Sequence, residues 1–356
     1  MKKKILALAV LGAAAGMAQA QSNVQIYGTV DTGYVKESGS DVYMGENATN
    51  LIGFRGYEDL GGGLKATFEL EKQFTLQDGQ SMDTYMGDRL KGQDSADWLG
   101  AANLGLEGDW GKVRFGRVSE ISYEYFWTLD PFEQGTTGAS LALYNKTHSE
   151  QLSNTARYDS PEWNGLGFSA SVSLGQDRRN NSDDNKNTGF GGGIHYDNGP
   201  LVLMANYNRL ADSNESWVWN IGGGYEFGPA RVTVGYQSSK FKDQKNSMVV
   251  QNDDDPDFFQ KMDQEEWMIG LTYDIGPGQL KLAYNRASID NWKEGKDGDT
   301  DKFALGYTYN LSKRTSIYGV LSYTDSDNGQ VGSIYNNNGV EKSEVYGVQV
   351  GMTHNF

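Results

Sequence analysis

Apolar and polar residues alternate with period two over most of the chain after residue 20, the mark of strands with one apolar and one polar face. Phe168, Ala170, Val172 and Leu174 alternate with Ser169, Ser171, Ser173 and Gly175. Trp217, Trp219, Ile221, Gly223, Tyr225 and Phe227 share one face, Trp267, Ile269, Leu271, Tyr273 and Ile275 another, and Phe303, Leu305, Tyr307 and Tyr309 continue the pattern. No segment in this stretch sustains a helical period. Seven short turns separate strands, at 59–63, 108–111, 161–165, 197–200, 228–229, 276–278 and 312–313, all rich in turn formers. Longer polar connections fall between them, at about residues 37–49, 76–95, 118–151, 176–187, 211–215, 243–263, 291–300 and 325–343. These connections join sixteen strands, with expected starts at Val24, Asn50, Leu64, Ala96, Lys112, Leu152, Leu166, Thr188, Leu201, Ser216, Ala230, Gln264, Gln279, Asp301, Arg314 and Glu344.

A soluble sandwich also alternates, but it rarely needs sixteen strands and does not sort short turns and long loops into strict alternation. An even strand number, short turns, long loops, an apolar outer band with aromatics and a polar interior are what a transmembrane β-barrel requires. The fold expected is therefore all-β, a 16-stranded antiparallel transmembrane β-barrel with short periplasmic turns and long external loops. Closure pairs every strand and leaves no edge, so such a barrel needs neither a dense core nor cysteine.

Composition agrees and narrows the field. The 356 residues include 46 Gly, 6 Pro, no Cys, 21 Tyr, 14 Phe and 8 Trp, with a mean hydropathy of −0.62. Outside the N-terminus no run approaches the roughly 18 apolar residues of a spanning helix. The aromatics argue against disorder, and a sequence pI of 4.6 argues against a nucleic-acid partner. Residues 1–20 read as a cleaved secretory signal: Lys2, Lys3 and Lys4, an apolar run Ile5 to Ala15, and Ala18-Gln19-Ala20 as the cleavage site. The barrel then occupies residues 21–356, and loss of three lysines takes the formal charge from −16 to −19.

Several segments resemble the trimeric general porins of Gram-negative bacteria, in particular the neisserial and betaproteobacterial type, across essentially the whole mature chain. Val24-Gln25-Ile26-Tyr27-Gly28-Thr29-Val30-Asp31 looks like the family's first strand, and Gly53 to Ala66, with its Glu58-Asp59-Leu60-Gly61 hairpin, like its second. Ala156 to Pro161 resembles the strand after the constriction loop, and Gly351-Met352-Thr353-His354-Asn355-Phe356 the terminal strand. The resemblance implies an outer-membrane homotrimer for passive diffusion of ions and small hydrophilic solutes. It also implies an inward-folded third loop at 118–151 and a terminal Phe356 read by the outer-membrane assembly machinery.

A sixteen-stranded barrel leaves an aqueous channel. Parity places Arg55, Lys65, Lys112, Arg114 and Arg157 on the lumen face, with Arg117 at the mouth of the long loop, as a basic wall at the constriction. The loop carries Glu120, Glu124, Asp130 and Glu133, with Lys146 its one base. Opposed rows of charge set a transverse field across a pore. Relatives commonly carry an Arg where this chain has Leu51, which predicts weak selectivity or a lean towards cations. The run Asp253-Asp254-Asp255-Pro256-Asp257 lacks the spacing of a calcium loop and reads as a solvated external segment, bridged by divalent ions to lipopolysaccharide.

Other functions fit less well. The three histidines, His148, His195 and His354, have no Ser and carboxyl placed beside them, so no catalytic residue, cofactor or resident metal is expected, and the chain does not read as an enzyme. A structural or adhesin barrel needs a plugged lumen, and a solute-specific channel remains the nearest alternative to general diffusion.

Overall fold

The computed structural model describes residues 23–82, 97–140, 150–174, 188–209, 216–241, 262–293, 296–327 and 343–356. The expected signal at 1–20, Lys146, His148 and the Asp253 to Asp257 run lie outside the described residues. In chain order the strands are β1 (Asn23–Glu37), β2 (Tyr43–Gly45), β3 (Leu51–Gly61), β4 (Leu64–Gln73), β5 (Ala102–Gly108), β6 (Gly111–Ser119), β7 (Gln151–Asp159), β8 (Leu166–Leu174) and β9 (Thr188–Asn198). They continue with β10 (Leu201–Arg209), β11 (Trp217–Phe227), β12 (Ala230–Phe241), β13 (Met262–Ile275), β14 (Gly278–Lys293), β15 (Lys296–Asn310), β16 (Thr315–Ser326) and β17 (Glu344–Asn355). A helix, α1 (Ile121–Trp127), follows β6.

Every strand except the short β2 pairs antiparallel with its sequence neighbours, and β1 pairs with β17 from Thr29↔Asn355 to Glu37↔Gly347. The result is a closed antiparallel barrel of sixteen strands, with β2 laid against β1 as a flap of the first loop. Phe356 finishes the closure: its N–H donates to the Gly28 carbonyl at 3.0 Å and the Gly28 N–H donates back at 3.2 Å. Its ring lies over Gly28, where a Cβ would stand 2.5 Å from it, so the first strand makes room for the last residue.

The alternation has become two surfaces. Leu104, Phe115, Leu174, Trp267 and Tyr346 lie more than half exposed on the outer face, while Asn220, Gln237, Glu266, Lys302 and Gln349 are buried on the inner face. Such inversion is what lipid outside and a polar lumen inside require.

Fourteen of the sixteen barrel strands begin within two residues of the expected positions. β15 starts at Lys296 rather than Asp301 because the β14–β15 hairpin extends through polar pairs, Ser288↔Asp299 and Lys293↔Lys296, and Arg286 pairs with Asp299 at 2.8 Å. Beyond the lipid a strand needs no apolar face, so period-two hydrophobicity cannot reveal it. β5 starts at Ala102 rather than Ala96, because residues 97–101 bend across the end of β4, where Gly100 donates to the Glu71 carbonyl at 3.3 Å. The sequence pattern also omits α1. Its seven residues are too few to persist alone, and they are helical because Ile121, Ser122, Tyr125 and Phe126 are buried against the barrel's inner wall.

Candidate functional site: the lumen and its inward loop

After β6 the chain turns into the barrel instead of out of it. The path of this loop is set by glycines on the lumen faces of β9, β11, β12, β13 and β15, each opposite one or two loop residues. A Cβ at Gly193 of β9 would meet the Tyr125 ring at 2.7 Å and Ile121 at 2.8 Å. At Gly222 of β11 it would meet Leu129 at 2.3 Å, at Gly235 of β12 Phe126 at 2.9 Å, at Gly270 of β13 Pro131 at 2.5 Å, and at Gly306 of β15 Phe132 at 2.6 Å. Two buried clusters result. Ile121, Tyr125, Phe126 and Leu129 pack with Met204, Met268 and Ala287, and Phe132 and Ala139 pack with Ala283, Ala304, Tyr318 and Val320. Apolar burial of this kind is the main force holding a loop against a wall in water.

Polar contacts fix the loop's tip. Asp130 is 3% exposed. Its oxygens accept from the N–H groups of Phe132 (2.9 Å), Gln134 (3.3 Å) and Ser140 (2.8 Å) and from the Ser140 hydroxyl (2.6 Å). That network steadies Glu133 and Gln134, both left-handed at φ 51° and 55°, a conformation that costs energy for residues other than glycine. Lys302 is fully buried and donates to the Ala139 carbonyl at 2.6 Å, and the Thr137 N–H donates to Gln349 Oε1 at 2.9 Å. The first loop braces the same region: Gln349 Nε2 donates to the Glu46 carbonyl at 3.0 Å, and Asp31 accepts from the Asn47 N–H at 2.7 Å and the Tyr318 hydroxyl at 2.8 Å. Burial pushes the Glu46 carboxyl up to about 7, with the Asp31 charge adding to it and a hydrogen bond from Asn50 opposing.

The loop thus covers the inner wall from β8 round to β17 and leaves β3 to β7 bare to the lumen. Of the four acids expected on the loop, Glu124 and Glu133 stay open to the lumen, while Glu120 and Asp130 are buried. Glu120 accepts from Asn208 Nδ2 at 2.8 Å, so it helps seat the loop rather than line the pore. Glu124 pairs with Arg157 at 2.5 Å and Glu133 with Lys281 at 3.7 Å.

The expected basic wall separates into four places. Arg114 and Arg157 come together on Asp159, at 2.7 and 2.8 Å. Lys65 and Lys112 sit by the turn rim and flank Glu107 at 3.9 and 3.7 Å. Arg55 lies over the Tyr27 ring, 4.5 Å from its centroid, with Nε donating to Gln25 at 3.0 Å. Arg117 stands in register with Ala102, on the face of Phe115, next to an irregularity between Gly116 and Val118. Its Nε donates to the Leu99 carbonyl at 2.6 Å and its Nη1 to Ser153 at 2.9 Å, so it ties strand ends together outside the lumen strip.

The residues missed in the sequence are acids. Glu69, Glu71, Glu107 and Asp159 share the bare wall with the bases, and the Tyr27 hydroxyl reaches Glu71 at 2.7 Å and Glu69 at 3.0 Å. The signal was available: Glu69 and Glu71 have the parity of Lys65 on β4, and Asp159 that of Arg157 on β7. His195 is on the lumen face as expected, with Nδ1 3.0 Å from the Tyr125 hydroxyl.

A closed barrel with a short-turn rim, a loop folded against half of its inner wall and a charged strip on the other half is the geometry of a constricted channel. The profile describing the Gram-negative porins matches residues 7–329. The chain belongs to that porin family. An outer membrane porin of Bordetella pertussis is 29% identical over 91% of this chain and 94% of its own length. Outer membrane porin protein 32 of Delftia acidovorans is 30% identical over the whole of both. Among solved structures, an anion-selective porin from Comamonas acidovorans superposes with a TM-score of 0.74 over 94% of this chain and 100% of its own, at 23% identity.

The porin is accordingly a Gram-negative outer-membrane protein and a passive channel. On the turn side of its constriction lies a recess of about 660 Å³ between the loop and the β9–β14 wall. Trp127, Glu124 and Glu133 face it from the loop, and Asp197, Glu226 and Asp274 from the wall.

Proposed function

We propose that this porin passes ions and small hydrophilic solutes through the gap between the α1 loop and the β3–β7 wall, with weak charge preference that leans towards cations. One observation carries the reading. The five bases of the β3–β7 wall, Arg55, Lys65, Lys112, Arg114 and Arg157, share the gap with wall acids Glu69, Glu71, Glu107 and Asp159 and with loop acids Glu124 and Glu133. A wall of paired charges gives little net field for anions. Leu51 stands on the same lumen-facing parity as Gly53 and Arg55, where an arginine would add a positive charge. The Comamonas acidovorans relative is anion-selective; the acids of this lumen argue for the opposite lean here.

The protein works as a homotrimer, as porins generally do, after cleavage behind Ala20 leaves Gln21 as its first residue. Phe356, hydrogen-bonded into β1, fits a terminus handed to the assembly machinery, and the acidic external segments fit lipopolysaccharide bridged by divalent cations. Planar-bilayer recording tests the channel reading. The expected result is stepwise conductance in groups of three and a small reversal potential of cation-selective sign in a tenfold KCl gradient. Strong anion preference would sink the charge assignment, and absence of conductance would sink the channel.

A further inference from the structure

We infer that Glu69 and Glu71, held side by side by Tyr27, set the cation preference of the channel. The inference rests on the channel reading above and assigns its charge preference to one cluster.

Glu69 and Glu71 lie two residues apart on β4 and so share its lumen face. Glu69 pairs in register with Arg55 and Asn103, Glu71 with Gly53. Their wall is the one the inward loop leaves bare, so a passing solute meets them. One phenol hydroxyl joins the two, with Glu71 Oε1 at 2.7 Å and Glu69 Oε1 at 3.0 Å from Tyr27 Oη. Those distances hold the two carboxylate oxygens within 5.7 Å of each other. A hydroxyl has one proton to donate, so at any instant one of the two carboxylates lacks it.

Tyr27 reaches β4 only because Gly53 intervenes. The tyrosine starts on β1 and its ring crosses β3 at Gly53, where a Cβ would come 2.5 Å from the ring's Cζ. A larger residue there would displace the ring from the pair. Tyr27 is thus a positioning residue, and the two glutamates carry the charge.

On the β3–β7 wall and on the loop facing it, ion-pair compensation stops at this pair. Glu107 has Lys65 and Lys112, Asp159 has Arg114 and Arg157, Glu124 has Arg157 and Glu133 has Lys281. Among the described residues, neither Glu69 nor Glu71 has a cationic nitrogen within 4 Å. The nearest candidate, Arg55, forms no ion pair with either: its guanidinium stacks on the Tyr27 ring at 4.5 Å and its Nε is engaged by Gln25, so its charge reaches Glu71 only at longer range. Two half-buried carboxylates on the lumen face without an ion-pair partner draw cations in and repel anions.

The test is the reversal potential of the full-length protein in planar bilayers, in a KCl gradient. In Glu69→Gln/Glu71→Gln the potassium-to-chloride permeability ratio is expected to fall by about twofold to fivefold, and in Arg55→Gln to rise. Tyr27→Phe keeps both charges but frees them, so an intermediate fall is expected at unchanged single-channel conductance, which damage to the barrel would not produce. Single Glu69→Gln serves where the double variant fails to insert. A conducting channel whose reversal potential does not respond to these glutamine substitutions overturns the inference and leaves the channel reading intact; a silent wild-type protein would instead overturn the channel reading.

Discussion

The barrel has two inner walls built from the same alternation and put to opposite uses. From β8 to β17 the lumen face is rich in glycines, small apolar residues and uncharged polar side chains, with a few charges such as Glu266, Lys281 and Lys302 among them, and the inward loop presses its apolar residues into it. From β3 to β7 the face holds charges, and the loop reaches it only at β7, where Glu124 pairs with the buried Arg157. The covered wall behaves as the core of a soluble protein: Phe132 is 2% exposed, and its ring fits where Gly306 has no side chain. The bare wall behaves as a protein surface, its ions partly solvated and, apart from Glu69 and Glu71, matched to one another. The comparison teaches that a barrel lumen is not uniformly polar. Where apolar loop residues meet a row of glycines, water is displaced and a core forms inside the channel.

The largest effect is expected on the covered wall. Phe132→Ala removes a buried ring and costs about 3–5 kcal/mol of loop attachment. The loop tip should detach, seen as a larger and noisier single-channel conductance and a lower Tm; unchanged conductance and Tm would mean that the loop is held by its polar contacts alone.

The junction of the two walls should be sensitive to pH. Burial holds the Glu46 carboxyl at about 7, above its ordinary 4.5, so between those values the folded state keeps a proton that the unfolded chain has released. The contribution is therefore full below about pH 4.5, declines as pH rises towards 7 and is lost above it, amounting to about 1–3 kcal/mol. Thermal unfolding from pH 5 to 8 should show this decline, and Glu46→Gln should flatten it. A slope that persists in Glu46→Gln would assign the effect to another group.

The smallest effect belongs to the bare wall. Lys65 is 43% exposed and 3.9 Å from Glu107, and exposed pairs contribute at most about 1 kcal/mol. Lys65→Gln should leave Tm within experimental scatter, and a fall of several degrees would show the bare wall to be structural as well.

Much of this was legible in the chain. Parity put Arg55, Arg114, Arg157 and His195 on the lumen face, and turn spacing gave the strand number, because a period of two is a local property of extended backbone. Partnership was not legible. Asp130 and Glu120 read as pore acids because nothing local marks a carboxyl that folds back onto its own loop or accepts from Asn208, 88 residues away. Arg117 has the parity of Phe115 and keeps that outer face in the structure, so alternation itself sets it apart from the lumen strip of Lys112 and Arg114. Glu69, Glu71 and Tyr27 carry the parity signal but acquire meaning only when β1, β3 and β4 lie side by side.

By itself the sequence determined the barrel, its strand count and its two faces, since period and turn chemistry are written residue by residue; that the long connection turns inward rested on the family resemblance. Only the tertiary structure decided which charges meet. Strand register and the loop's path bring together residues tens to hundreds of positions apart, and the lumen's field depends on the distances between them rather than on how many of each sign the chain contains.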